Sequence, residues 1–261
     1  MILNGKTAVV TGSARGIGRE YAIGLGREGA RLALADLNEA GISSVAKEIE
    51  AEGGEAIAVV TDITDVAAFE ILMKTTVDAY GKIDVLVNNA ALFADDVAGW
   101  NPVAWDPLNG DLEQWHQINS VNVDGVLNGM RAAAPYMIER GHGKIINQSS
   151  GAAYMDGGAY GFTKAAVNYL TRIFAIRLAK DNIQVNAIAP GAVMTDAMAK
   201  RGNRTNAEAE DYLNVYADAI PVGRIAQPSD LVGTAIYLAS SLSDYVTGQI
   251  ISVDGGWHYR S

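Results

Sequence analysis

The sequence predicts a single α/β domain built on a parallel sheet with helices on both faces. Three observations carry that expectation. Short apolar runs alternate with helical patterns along most of the chain, the rhythm of right-handed βαβ crossovers. A glycine-rich turn containing Gly12, Gly16 and Gly18 joins the first run to the first helix. The 261 residues, 49% of them hydrophobic, are enough for one large core.

The elements follow in order. Residues 6–10 form the first strand, and the turn Gly12-Ser13-Ala14-Arg15-Gly16-Ile17-Gly18 leads into a helix through Glu28. Strand, glycine turn and helix aim backbone N–H groups and a helix N-terminus at a phosphate. The spacing is not the G-x-G-x-x-G of many dinucleotide folds. Residues 30–35 form the second strand, which ends at Asp36, 18 residues past Gly18. An acid about 20 residues past the turn binds adenosine ribose hydroxyls. It accepts from a free 2′-OH and repels a 2′-phosphate, so Asp36 argues for NAD over NADP. Two readings compete: Asp36 as an N-cap for the next helix, and Arg15 as a partner for a 2′-phosphate.

The pattern repeats with a helix over 39–52, a strand over 56–60, a helix over 66–80 and a strand over 83–87. Asp62-Ile63 and Asn88-Asn89-Ala90-Ala91 follow strand ends, on the rim where such sheets bind ligands. Residues 93–110 break the rhythm with two Pro, Trp100 and Trp105, a rim loop that could line a substrate pocket or a subunit contact. A long helix over 112–140 carries Asn119 and Asn122, and a strand over 144–150 delivers Ser149 and Ser150 to the rim. The next helix runs to about Lys180, with Ala165, Val167, Leu170, Ile173, Phe174 and Leu178 as its expected apolar face. It carries Tyr160 and Lys164, four apart and so on one face. Free tyrosine titrates near 10, and a nearby ammonium favours the phenolate. A strand over 184–189 ends in Pro190-Gly191 and reaches Thr195. Residues 194–220 read as a substrate lid, Pro228 opens a helix to about Ser240, and residues 248–253 form the last strand.

The totals exclude several classes. A formal net charge of −10 without a basic cluster disfavours nucleic acid and anionic membranes. No apolar run reaches the ~18 residues of a membrane span, and no secretory signal is read at the N-terminus. The absence of cysteine fits a cytoplasmic protein. His116, His142 and His258 lack ligand spacing, so no metal site is expected.

Taken together, these motifs resemble the short-chain dehydrogenase/reductase family over essentially the whole chain. The resemblance rests on Thr11-Gly12…Gly16-Ile17-Gly18, Asp62, Asn88-Asn89-Ala90, Asn122-Val123-Asp124-Gly125, Ser149-Ser150, Tyr160…Lys164, Pro190-Gly191…Thr195 and Thr247-Gly248…Asp254-Gly255-Gly256. It implies a seven-stranded Rossmann sheet, a nicotinamide cofactor, here NAD, and a catalytic set of Asn122, Ser150, Tyr160 and Lys164. Tyr160 would take the alcohol proton, Ser150 would orient the substrate oxygen, Lys164 would hold the nicotinamide ribose, and Asn122 would position a relay water. The implied cofactor contacts are Gly12, Ser13, Arg15, Gly16, Ile17, Gly18, Asp36, Leu37, Asp62, Ile63, Asn89, Ala90, Ala91, Tyr160, Lys164, Pro190, Gly191, Val193 and Thr195.

This chain departs from the family pattern in three places. Ala91 replaces the usual Gly, the 93–110 loop is longer, and the interval from Ser150 to Tyr160 is shorter. The length changes fall on the substrate side and reshape the wall at Ala153, Tyr154 and Met155. Phe93, Trp100, Trp105, Tyr154, Met155, Met194, Tyr212 and Tyr216 suggest a partly aromatic pocket.

The expected activity is NAD-dependent interconversion of a secondary alcohol and its ketone, in a homotetramer whose C-terminal Trp257 and Tyr259 could close a neighbour's pocket. The alternatives are an NADPH-dependent 3-oxoacyl reductase and a non-catalytic nucleotide sensor or scaffold of the same fold.

Overall fold

The computed structural model describes residues 1–93, 105–195, 215 and 217–257. Most of the expected rim loop and lid, with Trp100, Tyr212, Tyr216, His258 and Tyr259, lies outside the described residues. Strands β1 (Thr7–Thr11), β2 (Arg31–Asp36), β3 (Glu55–Val60), β4 (Val85–Asn88), β5 (Gly143–Gln148), β6 (Ile183–Pro190) and β7 (Ile250–Val253) form one sheet in the order β3-β2-β1-β4-β5-β6-β7. Every pairing is parallel.

Successive strand residues point to opposite faces. Ala8 and Val10 of β1 and Leu32 and Leu34 of β2 join one core. Helices α1 (Gly16–Arg27) and α2 (Glu39–Ala51) pack there, with α7 (Val232–Ala239). Val9 and Ala33 point the other way into the second core. Helices α3 (Val66–Tyr80), α5 (Gly125–Arg140) and α6 (Gly158–Leu178) cover that side. The inner strands β1, β4, β5 and β6 are buried on both faces, which is why they read as near-continuous apolar runs, whereas the edge strands β3 and β7 are partly exposed.

The helix expected over 112–140 is interrupted. It begins as α4 (Leu112–Asn119), passes through one π turn (Ser120–Asp124) and continues as α5. Asn122 sits in that turn. The strand expected over 144–150 ends at Gln148, and Ser149 N–H reaches across to Ile188 O at 2.8 Å.

The expected apolar face of α6 needs correction. Ala165 is exposed, and Leu170, Ile173 and Phe174 are only half-buried. Val167 and Leu178 are buried as expected, and the buried stripe also carries Lys164, Asn168, Thr171 and Ala175. Polar groups hold this stripe because the end of β5 offers them partners, as described below.

Glycine is required where α1 meets the turn. A Cβ on Gly18 would lie 2.1 Å from the Gly12 carbonyl oxygen. Both atoms are tied to backbone, so neither can move aside cheaply. Gly18→Ala is expected to lower unfolding free energy by about 3 kcal/mol, measured by urea denaturation. A change below about 0.5 kcal/mol would contradict this close packing.

Candidate active site

The sheet changes direction between β1 and β4, which leaves a crevice beyond their carboxyl ends. The loops there are tied together. Asn89 Nδ2 donates to Thr11 O and to Gly12 O, both at 3.1 Å. Thr11 Oγ1 accepts from the N–H groups of Asn89 and Ala90, also at 3.1 Å. A Cβ on Gly12 would come within 2.7 Å of Ala90 Cα, so the two loops touch backbone to backbone.

A cavity of about 560 Å³ occupies this crevice. Gly12, Arg15, Gly16 and Ile17 form its floor at the glycine turn. Asp36 with Leu37, and Asp62 with Ile63, bound one end. Asn89, Ala90 and Ala91 line the middle, and Pro190, Gly191, Val193 and Thr195 line the wall after β6. Ser13 and Gly18 do not line it. Ser13 is buried with its hydroxyl on Ala35 O at 3.4 Å, and Gly18 packs on the turn. These two expected contacts shape the turn from beneath.

Asp36 does not cap α2. Asn38 does, accepting from Gly41 N–H at 3.0 Å. The Asp36 carboxylate is held by the N–H groups of Ala14 (3.1 Å) and Asn38 (3.0 Å), which fixes it at the cavity edge. Asp62 is braced in a similar way by the Thr64 N–H and hydroxyl.

Ser150, Tyr160 and Lys164 line the other end of the same cavity. Lys164 Nζ lies 5.4 Å from the Tyr160 ring centroid and donates to Gln148 O at 2.9 Å. Burial pulls the Lys164 pKa down to about 7. The carbonyl bond favours the ammonium and opposes that pull. Ser150 caps the short 3₁₀ turn Gly151–Tyr154, its Oγ accepting from Ala152 N–H at 3.1 Å. Ser149 is turned inward, its hydroxyl donating to Asn168 Oδ1. The Phe93 and Tyr160 rings meet in a T-shaped arrangement with 4.9 Å between centroids.

Asn122 differs from its expected placement. It is fully buried and does not line the cavity. Its Oδ1 accepts from Leu92 N–H at 2.7 Å, and its Nδ2 donates to Leu92 O at 3.0 Å and to Thr163 Oγ1 at 3.2 Å. The amide is committed to pinning the loop after β4 onto α6.

The comparisons with known proteins agree with this fold. A family model described as enoyl-(acyl carrier protein) reductase matches residues 12–258. A sorbitol dehydrogenase of Cereibacter sphaeroides is 41% identical, over 98% of each chain. The crystal structure of a short-chain type dehydrogenase/reductase from Mycobacterium marinum superposes with a TM-score of 0.88 at 32% identity, covering 99% of this chain and 97% of that one. A gluconate 5-dehydrogenase from Burkholderia cenocepacia, solved in complex with NADP and tartrate, superposes at 0.84 with 36% identity, over 98% and 96%.

The chain belongs to the short-chain dehydrogenase/reductase family. Members of that family are oxidoreductases that bind a nicotinamide cofactor. Phe93 and Met155 line the cavity as expected. Trp105 does not: it stacks 4.9 Å from Trp115, which lies 4.7 Å from Phe162. Tyr154 is turned away to accept from Asn168 Nδ2 at 3.0 Å, and Met194 packs on Ala192, Ile220 and Ile225. Trp257 lines this chain's own cavity. Sequence reasoning missed Val121, Asp156 and the Gln148 carbonyl. The carbonyl carries no sequence signal, whereas Asp156 is an acid four residues before Tyr160 in the sequence. Among the described residues no group of His, Cys, Asp or Glu could hold a metal ion, and no helix is long and apolar enough to cross a membrane.

Lys164 gives a pH signature. Its folded pKa, about 7, lies below the unfolded value of about 10.4. Between these values the unfolded chain binds the extra proton, so stability rises with pH. Wild type should gain stability relative to Lys164→Met from pH 7 to pH 10 in urea denaturation. Parallel profiles would show that Lys164 stays charged in the fold.

Proposed function

We propose that the protein is an NAD-dependent alcohol dehydrogenase/ketoreductase that interconverts a secondary alcohol and its ketone, with Tyr160 as the general base and acid. The observation that carries this reading is the convergence of Ser150, Tyr160 and Lys164 on one cavity whose opposite end is the glycine turn and Asp36.

The residues fit a nicotinamide dinucleotide. Gly12 and Gly16 adopt φ of +65° and +57°, and a Cβ on Gly16 would meet nothing nearer than 3.7 Å. The turn therefore presents open backbone at the start of α1, where anions bind. Gly12, Arg15, Gly16 and Ile17 would hold the pyrophosphate, and Asp36 with Leu37 the adenosine ribose. Asp62, Ile63, Asn89, Ala90 and Ala91 would flank the adenosine half. Tyr160 and Lys164 would meet the nicotinamide ribose, and Pro190, Gly191, Val193 and Thr195 its amide end. When bound, the cofactor accepts the hydride from the carbinol carbon.

Ser150 donates to the substrate oxygen and orients it. Tyr160, as phenolate, takes the hydroxyl proton, and the C–O bond becomes C=O as the carbinol carbon gives up its hydride. In the reverse direction Tyr160 returns the proton. Lys164 favours the phenolate to the extent that it is charged. Asn122 acts at one remove, by holding Leu92 and Thr163, and so is a positioning residue. The fixed Asp36 carboxylate supports NAD over NADP, because a 2′-phosphate would meet it directly. Arg15 is the feature that favours NADP, and steady-state rates with both cofactors decide between them.

Tyr160→Phe should lower kcat by at least about 10³-fold while NAD binding, read by titration calorimetry, stays within a few-fold. Near-normal turnover in that variant would refute the assignment.

The same reading includes a homotetramer. Phe162, Tyr169 and Ile176 are 50%, 66% and 78% exposed, seven residues apart along one stripe of α6. Bare aromatic and aliphatic groups in a row support self-association. Sedimentation should find a tetramer that Tyr169→Glu with Ile176→Glu dissociates. A wild-type monomer would remove this part of the proposal.

A further inference from the structure

We propose that Asp156 selects a neutral, polyhydroxylated substrate by accepting hydrogen bonds from hydroxyls other than the one that reacts. This rests on the dehydrogenase reading above.

Among the described residues, three carboxylates line the cavity, Asp36, Asp62 and Asp156. Two belong to the nucleotide end, since Asp36 closes β2 and Asp62 follows β3. Asp156 lies between β5 and α6, with β1 and β4 intervening in the sheet. Neighbouring strands are about 4.8 Å apart, so Asp156 is remote from the other two and close in sequence to Ser150 and Tyr160. Phe93, Met155 and Trp257 line the same cavity, and the Phe93 ring lies against Tyr160. Among the described residues, the cations lining the cavity are Arg15, at the glycine turn, and Lys164, committed to Gln148 O. The reaction end is therefore acidic and aromatic.

The segment bearing Asp156 is built to hold its shape. Ser150 caps it at one end. Tyr154 is fastened to Asn168, which is fastened in turn to Ser149. At the other end, Gly157 and Gly161 let the Ala152 carbonyl press onto α6, where a Cβ would lie 2.9 and 2.7 Å from that oxygen. The shorter interval between Ser150 and Tyr160 is thus taken up by one tight turn, and Asp156 stands at a fixed place on the cavity wall.

A carboxylate offers acceptors only. It binds hydroxyl donors and repels an acid. Aromatic rings in the same cavity suit the C–H faces of a carbon chain bearing hydroxyls. An aldonate or an anionic acyl carrier would bring its charge against Asp156. The sorbitol dehydrogenase relative agrees with a neutral polyol. An amino alcohol would satisfy the charge, and the test includes one.

The test measures kcat/KM with NAD and NADP for sorbitol, gluconate, cyclohexanol and 2-aminocyclohexanol, in wild type, Asp156→Asn and Asp156→Lys. Wild type should prefer sorbitol to gluconate by at least tenfold. Asp156→Asn should lower the sorbitol-to-cyclohexanol ratio about tenfold, through KM. Asp156→Lys should bring gluconate level with sorbitol. Because Asp156 is exposed, the variants should fold, and their melting curves check it. Calorimetric titration of sorbitol into Tyr160→Phe saturated with NAD reads the same contact without turnover, and Asp156→Asn in that background should weaken it about tenfold. Preference of wild type for gluconate or for the amino alcohol, or ratios unchanged in both variants, overturns the role of Asp156. If cyclohexanol reacts but sorbitol is no better than gluconate, this proposal falls alone. If no alcohol reacts with either cofactor, the dehydrogenase reading falls with it.

Discussion

The hydrogen bond from Lys164 to the Gln148 carbonyl belongs to a polar seam on which the reaction end of the cavity depends. Three consecutive residues at the end of β5 each bond α6. Asn147 Nδ2 donates to Thr171 Oγ1 at 3.0 Å, Gln148 O accepts from Lys164, and Ser149 donates to Asn168. Residues 164, 168 and 171 are one face of a helix, so one strand end and one helix stripe are locked in a single register. Asn88 extends the seam to β4 by donating to Asn147 at 2.9 Å, and Tyr21 extends it to α1 by donating to the Gln148 side chain at 2.9 Å. All these groups are buried, and a lost partner would leave an unsatisfied one at about 1–3 kcal/mol. That penalty gives α6 one position, and with it Tyr160.

The amino-terminal end of the sheet is organised by a different constraint. Asp84 is buried at the amino end of β4 and accepts from Thr7 N–H at 2.9 Å. Lys6, Lys82 and Arg140 surround it at 3.8, 3.0 and 3.7 Å. A buried carboxylate needs such company. This cluster lies at the strand ends opposite the crevice.

Much of this was legible in the sequence. Apolar strands, glycine turns and helix signals gave the sheet, and chain order gave the crevice, because ligands of such sheets bind where strand order reverses. Tyr160, Lys164 and Ser150 were legible as a pattern. The inner face of α6 was not. Hydrophobic periodicity pointed to Ala165, Leu170 and Ile173, whereas burial follows the hydrogen-bond partners on β5, which a helix pattern does not reveal. The Asn122 placement was hidden for a similar reason: its partner is the Leu92 backbone, distant in sequence. Aromaticity alone points to Trp105 and Tyr154 as pocket residues, but each is drawn aside, Trp105 by ring stacking and Tyr154 by a hydrogen bond.

The central claim is that the seam aims Tyr160 at an alcohol whose carbinol hydrogen passes directly to a nicotinamide ring. Isotope transfer tests it most directly. The enzyme would be incubated with NAD and with sorbitol or cyclohexanol deuterated at the secondary carbinol carbons, and the reduced cofactor examined by mass spectrometry. The account predicts one deuterium in each reduced cofactor. Reduced cofactor without deuterium, or no reduction of NAD or NADP by either alcohol, would contradict it.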